Sequence, residues 1–220
     1  MNRKLRLAAL FAVLCLLAGC ATSRSVVDLG AAGAEPVNPA QGQEVVIATV
    51  EDARVFETAP RSPDIPSLSP SEANDPGIRA RAIARKRNTF GQALGDVLLP
   101  EGQTVSDATQ RAIVAAFRRA GYRVLAPGDA GHERAVPVAA RIERYWTWFT
   151  PGFWAVTVQN RAEVTLSGAL PALQGGLTVT SEVSESMQAV FESDWQQVSA
   201  EGLAALSARL TAALNARRPQ

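Results

Sequence analysis

Two thiols, one imidazole and two pairs of neighbouring carboxylates are the side chains with chemistry to offer in this chain. His132 is the only histidine, so zinc sites built on several His or Cys are excluded, as are Cys–His nucleophile pairs. It lies in Gly128-Asp129-Ala130-Gly131-His132-Glu133, a turn-like polar stretch with no GxSxG elbow, and reads as an exposed loop histidine. Glu182 and Glu185 fall on opposite faces of a regular strand, and Glu51 and Asp52 are adjacent at a strand end. Neither pair converges on one glycosidic bond by spacing alone. GxGxxG, GxxxxGK[ST] and HExxH are all missing from the sequence. The expectation is a protein that is not an enzyme and needs no cofactor or metal.

Cysteine chemistry is the exception. Arg3, Lys4 and Arg6 form a positive start, and Leu7 to Ala18 is an unbroken apolar run. That run has signal-peptide length and falls short of the ~20 residues of a spanning helix. Leu17-Ala18-Gly19-Cys20 follows and resembles the lipobox of bacterial lipoproteins. The resemblance implies a diacylglyceryl thioether on Cys20, cleavage before it and acylation of the new N-terminus. Residues 1–19 are then a signal peptide, and the membrane is the first partner, held through the lipid. Each buried methylene contributes about 0.8 kcal/mol, so one chain holds weakly and two or three hold firmly. Ala21, where Asp retains such proteins at the inner membrane, implies the periplasmic side of the outer membrane.

Without its first nineteen residues the chain has nineteen basic against 21 acidic residues, which is no electrostatic footprint for nucleic acid. Cys15 leaves with the signal and Cys20 is acylated, so no thiol remains for a disulfide. Stability must come from the core.

The elements that position everything else follow from periodicity. Residues 20–43, rich in Ala, Gly, Ser and Pro, read as a flexible tether. Val45 to Val50 is a β-branched strand, and residues 52–77 form a long Pro-rich loop. Ile78 to Arg87 reads equally as an edge strand or a frayed helix. Thr104 opens a helix whose apolar stripe runs from Val105 to Ala120, with Gly121 as its left-handed end. Tyr122–Leu125 is a short strand. Val136 to Phe149, Phe153 to Gly168 and Leu177 to Phe191 alternate as strands, with Thr150-Pro151-Gly152 as a turn. Ser193 caps a last amphipathic helix to Leu214. The expected fold is one α+β domain over 44–216, a mostly antiparallel sheet of about five strands with two amphipathic helices packed on one face. The roughly fifty residues before the first helix exceed what compact domains usually leave unstructured, so they contact something or hide an element.

Two clusters are candidate binding sites. Trp146, Trp148, Phe149, Phe153 and Trp154 surround the turn, where amphipathic aromatics suit a protein or lipid-headgroup interface; packing under a helix is the alternative. Arg85, Lys86 and Arg87 close a run of five cations that suits anionic headgroups or an acidic polymer; the alternative is a solvated face that guards a sheet edge.

The lipobox, the early strand ending Val50-Glu51-Asp52-Ala53-Arg54, the helix closing on Arg119-Ala120-Gly121-Tyr122, the alternating hairpin and the C-terminal helix together resemble the YajG-type lipoproteins. Arg87-Asn88-Thr89-Phe90-Gly91 looks like a signature of the family, and the Pro-rich insert departs from it. The resemblance implies a small envelope lipoprotein with no catalytic residues. The expected role is binding a protein or lipid partner in envelope assembly or maintenance. An accessory lipoprotein of an envelope transport system is one alternative, and a tethered cell-wall hydrolase is another.

Overall fold

The structure, a computed structural model, describes residues 24–30, 38–39, 41–88 and 90–218. The signal segment 1–19 and Cys20 lie outside these residues. In chain order the elements are β1 (Ser25–Val26), β2 (Glu44–Asp52), α1 (Pro76–Arg81), β3 (Ala82–Arg87), β4 (Ala93–Leu98), α2 (Val105–Arg119), β5 (Arg123–Val124), β6 (Val136–Pro151), β7 (Val156–Gly168), β8 (Leu177–Met187) and α3 (Glu192–Ala216).

All eight strands belong to one sheet organised around β6. One edge of β6 pairs antiparallel with β7 from Val138 to Pro151, and β7 pairs antiparallel with β8. The other edge is shared. Its first half pairs parallel with β2, from Val136 to Ile142, and its second half pairs parallel with β3 at Thr147. Beyond β2 lies β5, also parallel; beyond β3 lie β4, antiparallel, and then β1, parallel to β4.

The expected five-strand, mostly antiparallel sheet with two helices is therefore corrected to a mixed eight-strand sheet with three helices among the described residues. The missed elements have weak local signals. Gly95 and Asp96 interrupt β4, β1 is two residues in a Ser- and Gly-rich stretch, and β3 is a basic hexamer. Each forms because a neighbouring strand supplies its hydrogen bonds and a core face. The 78–87 stretch holds both readings in succession: helix to Arg81, capped by the Asp75 carboxylate, then strand from Ala82, interior rather than at an edge.

α2 and α3 pack on one face of the sheet over Ile113, Phe117, Val138, Ile142, Val164 and Leu206. α2 starts as expected: Thr104 and Asp107 form a reciprocal capping box, and Gly121 takes φ +83° just past its end. α3 starts earlier than expected, at Glu192, with the Asp194 carboxylate accepting the Phe191 N–H at 2.6 Å; Ser193 lies inside it.

The second face is also covered. The Pro-rich stretch folds over it, placing Leu68, Phe56, Ala73 and Ile78 against Trp146, Trp148, Ala82 and Leu98. A sheet wet on one face was the sequence expectation, and it holds for β7, whose odd positions are half-buried. It fails at the centre of β6, where Tyr145, Trp146, Thr147 and Trp148 are all buried in succession. A register shift between Ile142 and Arg144 reverses which parity faces the helices.

Candidate functional site

The five aromatics of the expected hairpin cluster are separated by the fold. Trp146 and Trp148 lie under the Pro-rich cover at 1% and 5% exposure. The Trp146 indole donates to Pro63 O at 3.2 Å and meets Phe56 edge to face. Phe149 points to the other face and packs edge to face on Trp195 of α3. Phe153 and Trp154 stand outside, 89% and 86% exposed, with their rings at 4.8 Å in a T-shaped pair. Consecutive strand residues must point to opposite faces, so a row of five aromatics cannot form one surface unless the turn itself carries them.

The cationic run is woven into the sheet. Arg85 faces Asp96 across β3 and β4 at 3.7 Å. Lys86 is buried and donates to Ser25 Oγ at 2.6 Å, and Arg87 donates to Pro60 O and Ser67 Oγ. Burial and the neighbouring Arg85 charge pull the Arg87 guanidinium below its ordinary value. Upstream, Arg79 stacks on Phe56 and Arg81 donates to Leu99 O. These groups hold β1, β3, β4 and the Pro-rich cover together.

Arg54 is the residue that sequence reasoning passed over. Its side chain is fully buried at the fork where β6 passes from β2 to β3. The guanidinium grips the Asp52 carboxylate through Nε and Nη2, both at 2.7 Å. It also donates to Ala82 O at 2.6 Å, Tyr145 O at 3.2 Å and Arg79 O at 2.8 Å. A planar fork with five N–H groups can satisfy three backbone oxygens and a carboxylate at once, and lysine cannot. The available signal was the Asp52-x-Arg54 spacing at a strand end. An open cleft of about 500 Å³ lies beside this fork, lined by Asp52, Arg54, Phe56, Ala73 and Arg79 among others.

Part of the expected tether is built into the domain. Of residues 20–43, Ser25–Val26 pairs with Val97–Leu98, Val27 and Leu29 are buried in the helix-side core, and Asn38 hydrogen-bonds both backbone groups of Val124. Arg24 pairs with Glu72 of the cover and with Asp96 of β4, while Ser25 donates to Glu192 at the start of α3. Burial pushes the Asp96 carboxyl above the usual carboxylate range, an effect that Arg85 opposes. The Glu72 carboxyl sits below that range, chiefly because the Ser69 hydroxyl donates to it.

A buried polar chain lies between β6, β7 and α3. Tyr145 OH donates to Ser199 O, Thr147 Oγ1 meets Ser199 Oγ at 2.7 Å, and Asn160 Nδ2 donates to Thr147 Oγ1 at 2.8 Å. Burial raises the Tyr145 phenol above its ordinary value. Gly202 makes room for this chain, since a Cβ there would overlap Asn160 Oδ1.

Of the remaining candidates, Glu182 pairs with Arg161 across β7 and β8, and Glu185 lies opposite Val158 on the other face of β8. Asp52 is taken up by Arg54 and Glu51 by Arg141. His132 is half-buried in a single 3-10 turn. Among the described residues no cluster of His, Cys, Asp or Glu is arranged to hold a metal ion, and no helix is long and apolar enough to cross a membrane.

No family model and no curated protein matches the sequence. Solved structures do show likenesses. A Xanthomonas campestris protein of the family DUF330 is 15% identical, covering 86% of this chain and 90% of its own at a TM-score of 0.44. An uncharacterized protein is 10% identical, covering 78% and 98%, with a TM-score of 0.39. A minor lipoprotein from Acinetobacter baumannii is 17% identical, covering 53% and 87%, with a TM-score of 0.33. At these values the likenesses carry no argument about function. The YajG-type resemblance is not shown by these three.

Proposed function

We propose that this chain is a lipid-anchored lipoprotein of the bacterial envelope, without catalysis, whose domain is held at the periplasmic face of the outer membrane and binds a protein or lipid partner there. The observation that carries this reading is the ordered series Arg3, Lys4 and Arg6, the apolar run Leu7 to Ala18, and Leu17-Ala18-Gly19-Cys20. The domain supports it by what its polar groups do. Asp52, Arg54, Arg85, Lys86 and Arg87 are engaged in joining strands to one another and to the cover, and the Tyr145 hydroxyl ties β6 to α3. The large apolar side chains left outside, Phe153 and Trp154 foremost, suit contact with a partner rather than chemistry.

Fractionation of cells making the full chain or its Cys20→Ser variant tests the anchor. The full chain is expected in the outer membrane and the variant in the soluble periplasmic fraction or unprocessed at the inner membrane. Equal membrane partitioning of the two, with processing unchanged, would refute the proposal. A photo-crosslinking residue at position 154 then captures whatever lies against the exposed hairpin.

A further inference from the structure

One end of the sheet carries four of the six large apolar side chains that stand exposed among the described residues, all four of them aromatic; Val26 and Val55 are the other two. β6 runs toward this end and turns at residues 152–155 into β7. β3 is parallel to β6 and turns there at residues 88–92 into β4. β8 arrives there as well, since Met187 pairs with Val156, and the chain crosses through residues 188–191 into α3. The three connections carry Phe90, Phe153 with Trp154, and Phe191, which are 88%, 89%, 86% and 67% exposed.

The same connections lack charge. No Asp, Glu, Lys or Arg occurs from Asn88 to Gly95, from Tyr145 to Asn160 or from Ser186 to Phe191. The opposite end is different. Around the start of β2, β5 and the end of α3 stand Glu44, Arg123, Glu133, Arg134, Arg217 and Arg218. Aromatic-tipped connections without charge, flanked by Arg87 at the end of β3 and by Glu192 and Asp194 at the start of α3, face away from the charged end, a distribution that suits a headgroup layer on one side and water on the other.

The first strand has its N-terminal side toward the aromatic end. β1 is parallel to β4, with Ser25 opposite Val97, and β4 begins at the 88–92 turn. Going back from Ser25 therefore leads toward that turn. Val97 is level with Ala84, and Ala84 with Thr147. Arg24 thus lies close to the level of Trp148, about five residues or ~16 Å below Phe153. Cys20 precedes Arg24 by four residues, a link of at most ~14 Å. Acyl chains on Cys20 and the exposed rings can reach the same plane. The start of β6 at Val136, eleven residues below Thr147 and so ~36 Å away, cannot.

We infer that this end of the sheet docks on the bilayer, with Phe90, Phe153, Trp154 and Phe191 seated in the headgroup layer beside the acyl chains of Cys20. The inference rests on the acylation of Cys20 proposed above. The occupant is the lipid surface itself, because a link of at most ~14 Å from Arg24 keeps the acyl chains of Cys20 within reach of this end of the sheet and not of the other. The domain is oriented as a consequence, and its charged end projects into the periplasm.

The protein contains its own probe. Trp146, Trp148 and Trp195 are buried, and Trp154 is the exposed indole. The lipidated full chain is reconstituted in phosphatidylcholine vesicles, with and without bromine high on one acyl chain. The expected result is a blue shift and loss of the Trp154 component of the emission, absent in Trp154→Phe, which leaves only the buried indoles. Co-flotation with vesicles while Trp154 stays unquenched would overturn the orientation and leave the anchor standing. Loss of flotation would overturn the anchor reading itself. Protection of Trp154 that grows with protein concentration on plain vesicles would show a second copy covering this end, and would also overturn the inference.

Discussion

Replacing Arg54 by methionine keeps much of the side chain's volume and removes every donor at the fork. Three backbone oxygens, of Ala82, Tyr145 and Arg79, lose a buried partner, and Asp52 loses its bidentate grip. An orphaned buried acceptor costs about 1–3 kcal/mol, and a carbonyl oxygen with a second lone pair free to find another donor falls near the lower figure. Asp52 is 20% exposed and rehydrates in part. The total is roughly 3–4 kcal/mol, within the range for breaking a buried ion pair. At about 2–4 °C per kcal/mol for a domain of this size, Tm falls by roughly 6–16 °C. Urea unfolding of the Cys20→Ser chain, followed by tryptophan emission, measures this, since Trp146 adjoins Tyr145. Arg54→Lys is expected to recover less than half, because a point charge reaches one or two of the four acceptors. Asp52→Asn added to Arg54→Met is expected to cost little beyond the single variant, as the two act as a unit. A loss below about 1 kcal/mol, or additive losses in the double variant, would refute the fork's role.

Trp146→Ala removes a buried indole and is expected to cost about 3–5 kcal/mol, whereas Trp154→Ala is expected to stay within about 0.5 kcal/mol; the same urea titration separates them. Gly202→Ala forces a methyl onto Asn160 and is expected to cost about 1–3 kcal/mol, with Asn160→Ala in the same chain restoring much of it, read as the shift in the urea midpoint. Glu72 has its pKa lowered in the folded state, so its contribution is present above the unfolded value near 4.5 and is lost as pH falls below it. Thermal melts between pH 6 and about pH 3 are expected to show a steeper decline for the parent chain than for Glu72→Gln, and identical slopes would contradict a folded-state role for the Glu72 carboxylate with Ser69 and Arg24.

Long periodic segments were legible because their side chains repeat in the period of the element. The stripe from Val105 to Ala120 and the alternation from Val156 to Leu166 each define a face without tertiary help. The sheet's true size was not legible. β4 contains Gly95 and Asp96, and Asp96 is tolerated only because Arg85 and Arg24 meet it. The aromatic run reads as an interface or as packing under a helix, and Tyr145-Trp146-Thr147-Trp148, which has no polar alternation, in fact demands cover on both faces. That cover comes from the Pro-rich stretch, whose prolines suggested a loop with no core of its own. Leu68 and Phe56 show how an irregular segment still buries apolar area when a strand beneath it presents two indoles. The cationic run invited a lipid or polymer ligand, but charge on a segment does not reveal whether the fold spends it internally, as Arg87 does on Pro60 and Ser67.

The mass of the mature protein bears most directly on the anchor. Intact-mass spectrometry of protein extracted from the envelope is expected to show a chain beginning at Cys20, heavier than residues 20–220 by a diacylglyceryl group and an N-terminal acyl chain, with the added mass on the N-terminal peptide. An unmodified mass, whether of the whole chain or of one cut elsewhere, would contradict the account.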